Sequence, residues 1–230
     1  MNTTSTRVVQ ETDFLLSLQR DVLKGRAAPA GFQRPYVWKE EHVEAMWDSI
    51  VTGLPIGSFL LWQPPGGAKT SRMLGPIALE ATHGAALILD GQNRLATLAW
   101  SATDPDAEVP TDASGLDVWD NGRRLVADTI QSRIRFADAA ETDPWLVPMH
   151  VIGHSMQSHL RDIWDGGEAD LPRVNWLERV ESALRCARIV ITTIHSDEKA
   201  ARAAYLRMCS AGVQMTPEQF DEAVKGSIDA

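Results

Sequence analysis

Residues 85–98 have the sequence Ala-Ala-Leu-Ile-Leu-Asp-Gly-Gln-Asn-Arg-Leu-Ala-Thr-Leu, the most informative stretch of this 230-residue chain. Its first five residues are all apolar, which is typical of a β-strand covered on both faces. Asp90 and Gly91 then provide a turn, and from Leu95 onward apolar residues recur at helical spacing. The stretch therefore predicts a buried strand, a tight turn and a helix.

On either side of this unit the sequence predicts further helices and strands in mixed order, which indicates an α+β domain. The segment 101–124 is rich in Asp, Pro, Ser and Gly and predicts a long loop. Helices are predicted over residues 11–24, 40–53, 155–164, 175–185 and 201–208, and from 217 to nearly the end of the chain. Strands are predicted over residues 57–62, 85–89, 125–126, 133–136 and 189–194.

Composition narrows the class of protein. The chain has 22 Lys+Arg against 31 Asp+Glu, a net charge of −9, and 44% hydrophobic residues. This is an ordinary globular composition, enough for one large domain or one domain with a small appendage. A protein that grips duplex DNA through its phosphates usually carries a basic face, and none is visible here. The densest basic spots, Arg123-Arg124 and Arg133-x-Arg135, have acidic neighbours and predict a solvated surface.

Two cysteines, Cys186 and Cys209, cannot form a disulfide framework and are not in a C-x-x-C pair. The first residues lack the apolar core of a signal peptide, and no apolar run approaches the roughly 20 residues needed to cross a bilayer. We therefore expect a cytoplasmic protein without membrane contact.

The predicted junction between strand and helix is suited to binding an anion. The first N–H groups of a helix lack internal partners and lie at the positive end of its dipole. Gly91 permits close approach, and Arg94 adds a charge-assisted contact. Asp90 would repel the same anion unless it caps the helix, holds a divalent cation or orients water. Spacing alone leaves two interpretations: a metal-bound phosphate site or a structural cap.

A second arginine lies in the segment Gln33-Arg34-Pro35-Tyr36-Val37-Trp38. Pro35 favours an extended conformation at Arg34, and flanking aromatics could hold the guanidinium in place. The alternative is a surface turn in which Tyr36 and Trp38 pack inward.

Three segments together resemble a known family. They are Gln33 to Trp38, Gly53-x-Pro55-Ile56-Gly57-Ser58-Phe59-Leu60-Leu61-Trp62, and Leu87-Ile88-Leu89-Asp90-Gly91-Gln92-Asn93-Arg94-Leu95-Ala96-Thr97-Leu98. In order and spacing they resemble the N-terminal domain of GmrSD-like modification-dependent restriction enzymes. A later stretch, residues 205–220, is similar to that family's helix, turn and helix start. The resemblance covers about residues 14–220.

The resemblance implies an α+β fold with a ParB/sulfiredoxin-like core, a small mixed sheet with helices. This nucleotide-binding core would occupy residues 1–140. A mainly helical extension, residues 141–230, would pack on it within one continuous domain.

The resemblance also implies a function. Family members bind a nucleoside triphosphate with Mg²⁺, and several hydrolyse it to control restriction of modified phage DNA. Carried over by position, the implied catalytic residues are Asp90, Gln92 and Arg94, and the implied nucleotide-binding residues are Gln33, Arg34, Gly91 and Asn93. Asp90 would hold the metal.

A nuclease domain or subunit often accompanies the family, so the resemblance implies a nuclease or other effector partner, with DNA reached through that complex. Two alternatives remain. In a non-enzymatic interaction module, Asp90 and Arg94 would form an internal salt bridge. This is favoured by Cys209 and Ala211, which stand where the family has Asn and Gly. A ParB-like nuclease acting directly on DNA is disfavoured by the negative charge.

Overall fold

The computed structural model describes residues 6–32, 36–68, 71–75, 77–101 and 122–210. Helices and strands alternate irregularly along these residues, which confirms the α+β class. The strands are β1 Arg7–Phe14, β2 Ala27–Pro29, β3 Phe59–Gln63, β4 Ser71–Leu74, β5 Ile77–Glu80, β6 Ala86–Asp90, β7 Arg123–Asp128, β8 Arg133–Asp138, β9 Leu146–Pro148 and β10 Arg188–His195. The helices are α1 Leu15–Leu23, α2 Glu40–Thr52, α3 Gln92–Ser101, α4 Met149–His154, α5 Met156–Ile163, α6 Leu171–Cys186 and α7 Glu198–Ser210, with a 3₁₀ turn at Glu168–Asp170.

The main sheet has five strands in the order β1-β10-β3-β6-β2. It is mixed: β10 runs parallel to β3, and β2 runs parallel to β6, whereas the β1–β10 and β3–β6 pairs are antiparallel. β10 lies between β1 and β3, so the sheet combines strands from both predicted segments, 1–140 and 141–230.

One face of this sheet is covered by helices α1, α2, α3 and α6. The predicted apolar stripe of α2 is confirmed, because Val43, Met46, Trp47 and Ile50 are all buried in this core. The helix ends where predicted, at Gly53, which adopts a left-handed conformation. The α2 stripe packs in one core cluster with Phe59, Leu61 and Ile88 of the main sheet.

The opposite face carries a smaller core under α7. Trp62, Leu89 and Ile194 from the sheet pack with Ala201 of the helix. The ring of Phe32 lies 6.4 Å from that of Trp62, so the chain just after β2 also covers this face. Because both faces of β6 are buried, its continuously apolar sequence is explained.

A second, three-stranded antiparallel sheet has the order β8-β7-β9. It confirms the strands predicted at 125–126 and 133–136 and extends them. The Arg133-x-Arg135 prediction of a solvated surface is wrong for Arg135, whose side chain is 13% exposed and is paired with Asp128 and Glu141. The acidic residues near Arg135 bury this arginine in ion pairs instead of leaving it in solvent, because the β7–β8 pairing brings Asp128 beside it.

The helix predicted over residues 11–24 is wrong in its first four residues. Positions 11–14 belong to β1, and α1 begins only at Leu15. The apolar spacing of Phe14, Leu15, Leu18 and Val22 suggested one helix, but pairing with the distant β10 overrides this local preference.

Other predictions have different outcomes. The strands at 57–62, 85–89 and 189–194 and the helices at 155–164, 175–185 and 201–208 are confirmed within a few residues. The loop at 101–124 falls largely, and the helix from 217 wholly, outside the described residues. The ParB/sulfiredoxin-like core stays a prediction. Across the described part of the chain, no helix combines the length and apolar character that crossing a membrane requires.

Candidate functional site

The corner between β6 and α3 is formed by a tight turn at Gly91. Strand β6 ends at Asp90, and the Leu95 N–H donates to the Gly91 carbonyl at 2.9 Å in the first turn of the helix. Gly91 has φ +93°, and a β-carbon there would overlap the ring of Phe59. Only glycine meets both demands, so the predicted close turn rests on this residue.

Arg94 lies in the first turn of α3 and is held by three groups. Its Nη2 donates to Asp90 Oδ2 at 2.8 Å, and its Nη1 donates to the Ile56 carbonyl at 2.7 Å. The guanidinium carbon lies 4.6 Å from the centre of the Phe59 ring. The arginine is therefore fixed across the gap between α3 and the start of β3.

The pair is unequally buried. The Arg94 side chain is 15% exposed, whereas the Asp90 side chain is 46% exposed. Burial lowers the pKa of the Arg94 guanidinium, and the Asp90 carboxylate partly opposes that shift. A buried cation is thus matched by a carboxylate that solvent can reach.

The start of β3 forms the other wall of the corner. Gly57 has φ +88°, and a β-carbon there would lie 2.5 Å from Arg94 Nη1. The absence of a side chain is what lets the guanidinium reach the Ile56 carbonyl. Sequence reasoning did not assign Ile56, Gly57 or Phe59 to the site. The signal available was a glycine two residues ahead of a buried strand.

The predicted site residues have different outcomes. The structure brings Asp90, Gly91 and Arg94 together, and places Gln92 and Asn93, both half-buried, in the first turn of α3 beside them. Gln33 and Arg34 lie outside the described residues. The roles in binding or catalysis of all seven predicted site residues stay predictions.

The segments on either side of Gln33 and Arg34 are fixed near this corner. β2 runs parallel to β6, and the Ala30 N–H donates to the Ile88 carbonyl at 3.2 Å. The carboxyl ends of the two strands therefore lie at the same end of the sheet. Beyond it, the Tyr36 hydroxyl bonds the Thr97 hydroxyl of α3 at 3.0 Å. Burial raises the pKa of Tyr36 and keeps this phenol protonated.

The corner contains one carboxylate suited to a metal, that of Asp90. Within the described ranges, no group of three or more His, Cys, Asp or Glu side chains could hold an ion. Mg²⁺ is commonly bound through one or two carboxylates together with substrate phosphates and water. Asp90 fits an ion that arrives with a phosphate ligand, and does not fit a cage made by protein side chains alone.

A cavity of about 430 Å³ lies elsewhere on the helical face, lined by Gln19, Trp47, Leu98 and Ser101 among others. Leu98 and Ser101 belong to the C-terminal half of α3, a helix of 10 residues, or ~15 Å. Arg94 is in its first turn. Asp90, Arg94, Ile56 and Phe59 do not line this cavity, so it is separate from the charged corner.

Comparison with known proteins decides the family. The sequence model of the "GmrSD restriction endonuclease, N-terminal domain" family matches residues 21–219, most of the chain. The chain belongs to this family. The resemblance based on the Asp90–Arg94 motif is thus confirmed.

The domain is also similar to the uncharacterized protein MJ0686 of Methanocaldococcus jannaschii. The two are 28% identical over 133 residues, which make up 54% of this chain and 23% of the relative. The chain therefore spans less than a quarter of that relative's length.

Proposed function

We propose that this GmrSD N-terminal domain binds a nucleoside triphosphate with Mg²⁺ at the β6–α3 corner and hydrolyses it to regulate an effector. The observation that carries the proposal is the state of Arg94. It is a buried cation at the positive end of a helix, and the carboxylate opposite it is half exposed. A phosphate can therefore approach the guanidinium from the solvent side.

Binding would exchange one ion pair for two contacts. Without ligand, Asp90 satisfies the buried Arg94 and keeps it in position. With a nucleotide, Arg94 would donate to phosphate oxygens while Asp90 turns toward the ion that accompanies them. The Ile56 carbonyl and the Phe59 ring would continue to hold the guanidinium, so its position would not depend on Asp90 alone.

The segment that begins at Tyr36 supports a larger phosphate site. The Tyr36–Thr97 bond anchors the segment that follows Arg34 to α3, one helical turn beyond Arg94. Arg34 and Gln33 would approach the same phosphates from this segment, and Asn93 would contact them from the first turn of α3. Two arginines on one polyphosphate would neutralise more charge than Arg94 alone.

Hydrolysis at this corner would depend on positioning and charge rather than on covalent chemistry. Mg²⁺, when bound with the nucleotide, would neutralise charge on the phosphates. Gln92 has an amide able to orient the attacking water, and Asp90 could accept a hydrogen bond from the same water. Arg94 would stabilise the charge that develops on the transferred phosphoryl group.

Nucleotide binding tests the assignment. In the presence of Mg²⁺, we expect Arg94→Ala to weaken nucleoside triphosphate binding about 10- to 100-fold, corresponding to roughly 1.5–3 kcal/mol for a contact to a charged group. Calorimetric titration measures binding, and phosphate release measures turnover. Arg185→Ala is the matched control, because Arg185 forms the same i,i+4 ion pair with Glu181 on α6.

Asp90→Ala separates the roles of the two charges. We expect it to abolish Mg²⁺-dependent turnover while nucleotide binding without Mg²⁺ is kept or strengthened, because a repelling carboxylate has been removed. Thermal unfolding of each variant checks that the fold survives. Wild-type affinity and turnover in Arg94→Ala would refute the site.

The closed ion pair itself favours a second candidate, a non-enzymatic interaction module for a nuclease or other effector. In that case Asp90 and Arg94 only join α3 to the sheet. Both alanine variants would then lower stability, and the wild type would bind no nucleotide with or without Mg²⁺. Plasmid nicking in the absence of nucleotide would instead favour a nuclease that acts directly on DNA.

A further inference from the structure

Strand β1 is an edge strand of the main sheet. It is eight residues long and pairs with β10 on one side, and within the described residues no strand pairs with its other side. Most of its side chains are exposed, including Val8 at 59%. A long terminal strand of this kind presents a row of backbone N–H and C=O groups to another chain.

The hydrogen bonds of β1 show which backbone groups face outward. The Leu15 N–H donates to the Ala187 carbonyl at 2.9 Å, which continues the β1–β10 register. In an antiparallel ladder, hydrogen-bonded pairs alternate with non-bonded ones. Odd-numbered residues of β1 therefore bond β10, and the backbone groups of Val8, Gln10 and Thr12 point away from the sheet.

At one end of this outer edge, the side chain of Asp13 already accepts a backbone N–H group that points outward. The Phe14 N–H, which also points outward by this alternation, donates to Asp13 Oδ1 at 2.7 Å. The stretch open to pairing thus runs through Val8, Gln10 and Thr12. This stretch has its midpoint at Gln10.

We propose that β1 pairs antiparallel with β1 of a second copy of this chain, centred on Gln10, so that two five-stranded sheets join into one. In this register Gln10 faces its own symmetry mate, and Val8 faces Thr12 of the other copy. Val8, Gln10 and Thr12 of each strand are then all hydrogen-bonded across the interface. The contact is self-complementary, as a two-fold dimer requires.

Charge supports the same register. Arg7 lies opposite Asp13 of the other copy, and because the dimer is symmetric this opposite-charge pair forms twice. Both residues are in non-bonded positions of the new ladder, where side chains come closest. Moving the two-fold axis to Glu11 would place that carboxylate against its own copy. Moving it to Val9 would pair Arg7 with Glu11 of the other copy but would leave Thr12 without a partner residue inside the eight-residue strand.

Charge exchange tests the register on the full chain. Sedimentation equilibrium over a concentration series should show a monomer–dimer equilibrium for the wild type. We expect Arg7→Asp to raise the dimer dissociation constant at least about tenfold, because both ion pairs become repulsions. Asp13→Arg should do the same. The double variant Arg7→Asp with Asp13→Arg should restore dimerisation to near the wild-type constant.

Proline substitution tests the backbone contact independently. The Thr12 N–H points outward, so Thr12→Pro should abolish the dimer while the β1–β10 ladder keeps its bonds. Glu11→Pro is the contrasting variant, because its N–H bonds β10 and its loss should lower the thermal stability of the monomer. A wild type that is monomeric at every concentration overturns the proposal. So does a dimer that survives Thr12→Pro, or one that charge exchange fails to restore.

Discussion

Two arginines, Arg94 and Arg135, are both held by carboxylates but in different ways. Arg94 at the β6–α3 corner pairs with Asp90, which is half exposed. Burial lowers the pKa of the Arg94 guanidinium. Arg135 in the three-stranded sheet pairs with Asp128 and Glu141 through three hydrogen bonds of 2.7–3.1 Å, which raise its pKa.

The difference separates a structural cation from one suited to bind a ligand. Two carboxylates more than balance Arg135, and Asp128 also accepts the N–H groups of Ile130 and Gln131 that close the β7–β8 turn. At the corner, one accessible carboxylate balances one cation. Under the proposed function, a polyanion would compete for Arg94 and would gain little by competing for Arg135.

The largest expected effect comes from removing the ion pair between Arg135 and Asp128. Asp128→Ala should lower the free energy of unfolding by about 3 kcal/mol, because it removes a buried carboxylate that pairs with Arg135 and whose Oδ1 accepts two N–H groups of the turn. Asp90→Ala should cost only about 1 kcal/mol, because its carboxylate is half exposed. Urea unfolding of both variants measures the contrast. Equal losses would show that the two arginines are held alike.

A second prediction concerns the turn that positions Arg94. Gly91→Ala should lower the free energy of unfolding by about 2 kcal/mol or more, because it combines a left-handed backbone with overlap on the Phe59 ring. Gly53→Ala is the control, since Gly53 has φ +76° but no atom within 4 Å of the added carbon, and should cost about 1 kcal/mol. Thermal or urea unfolding ranks the two. A control as damaging as Gly91→Ala would remove the argument from crowding.

The smallest effect is a dependence on pH. Hydrogen bonds from Arg135 and then from the Asp138 N–H lower the pKa of Glu141 from 4.5 to about 2. Because the pKa of Glu141 is lower in the folded state than in the unfolded state, the ionised carboxylate stabilises the folded state at pH values above the unfolded-state pKa. This stabilisation is lost as the pH falls toward 2. The stability difference between wild type and Glu141→Gln should therefore be constant above about pH 5 and shrink below it. A difference independent of pH down to about 3 would contradict this.

Much of the fold could be predicted from the sequence wherever one element buries an unambiguous apolar pattern. The continuous run of β6 and the helical stripe of α2 are of this kind. β1 could not be predicted, because Phe14, Leu15 and Leu18 suggest a helix, and what makes residues 7–14 a strand is β10, about 182 positions away. The short strands β2 and β9 have three residues each, too few to show a period.

The candidate site was predictable in its side chains and not in its walls. The Asp90–Arg94 segment combines a turn glycine with charges at a helix start, and this is visible in sequence. The acceptor at Ile56 is a backbone carbonyl, which every residue has, so no letter of the sequence marks it. Phe59 looked like any apolar residue of a buried strand.

The position of β10 has a consequence for how the protein folds. The strand lies between β1 and β3 yet is synthesised last among the strands of the main sheet. Until the ribosome has released it, β1 has no neighbour and the apolar residues at the edge of β3 remain open to water. Contacts so distant along the chain form slowly, since a large loop must close first. This half of the sheet is therefore completed late, and its apolar surface is open to aggregation until β10 pairs.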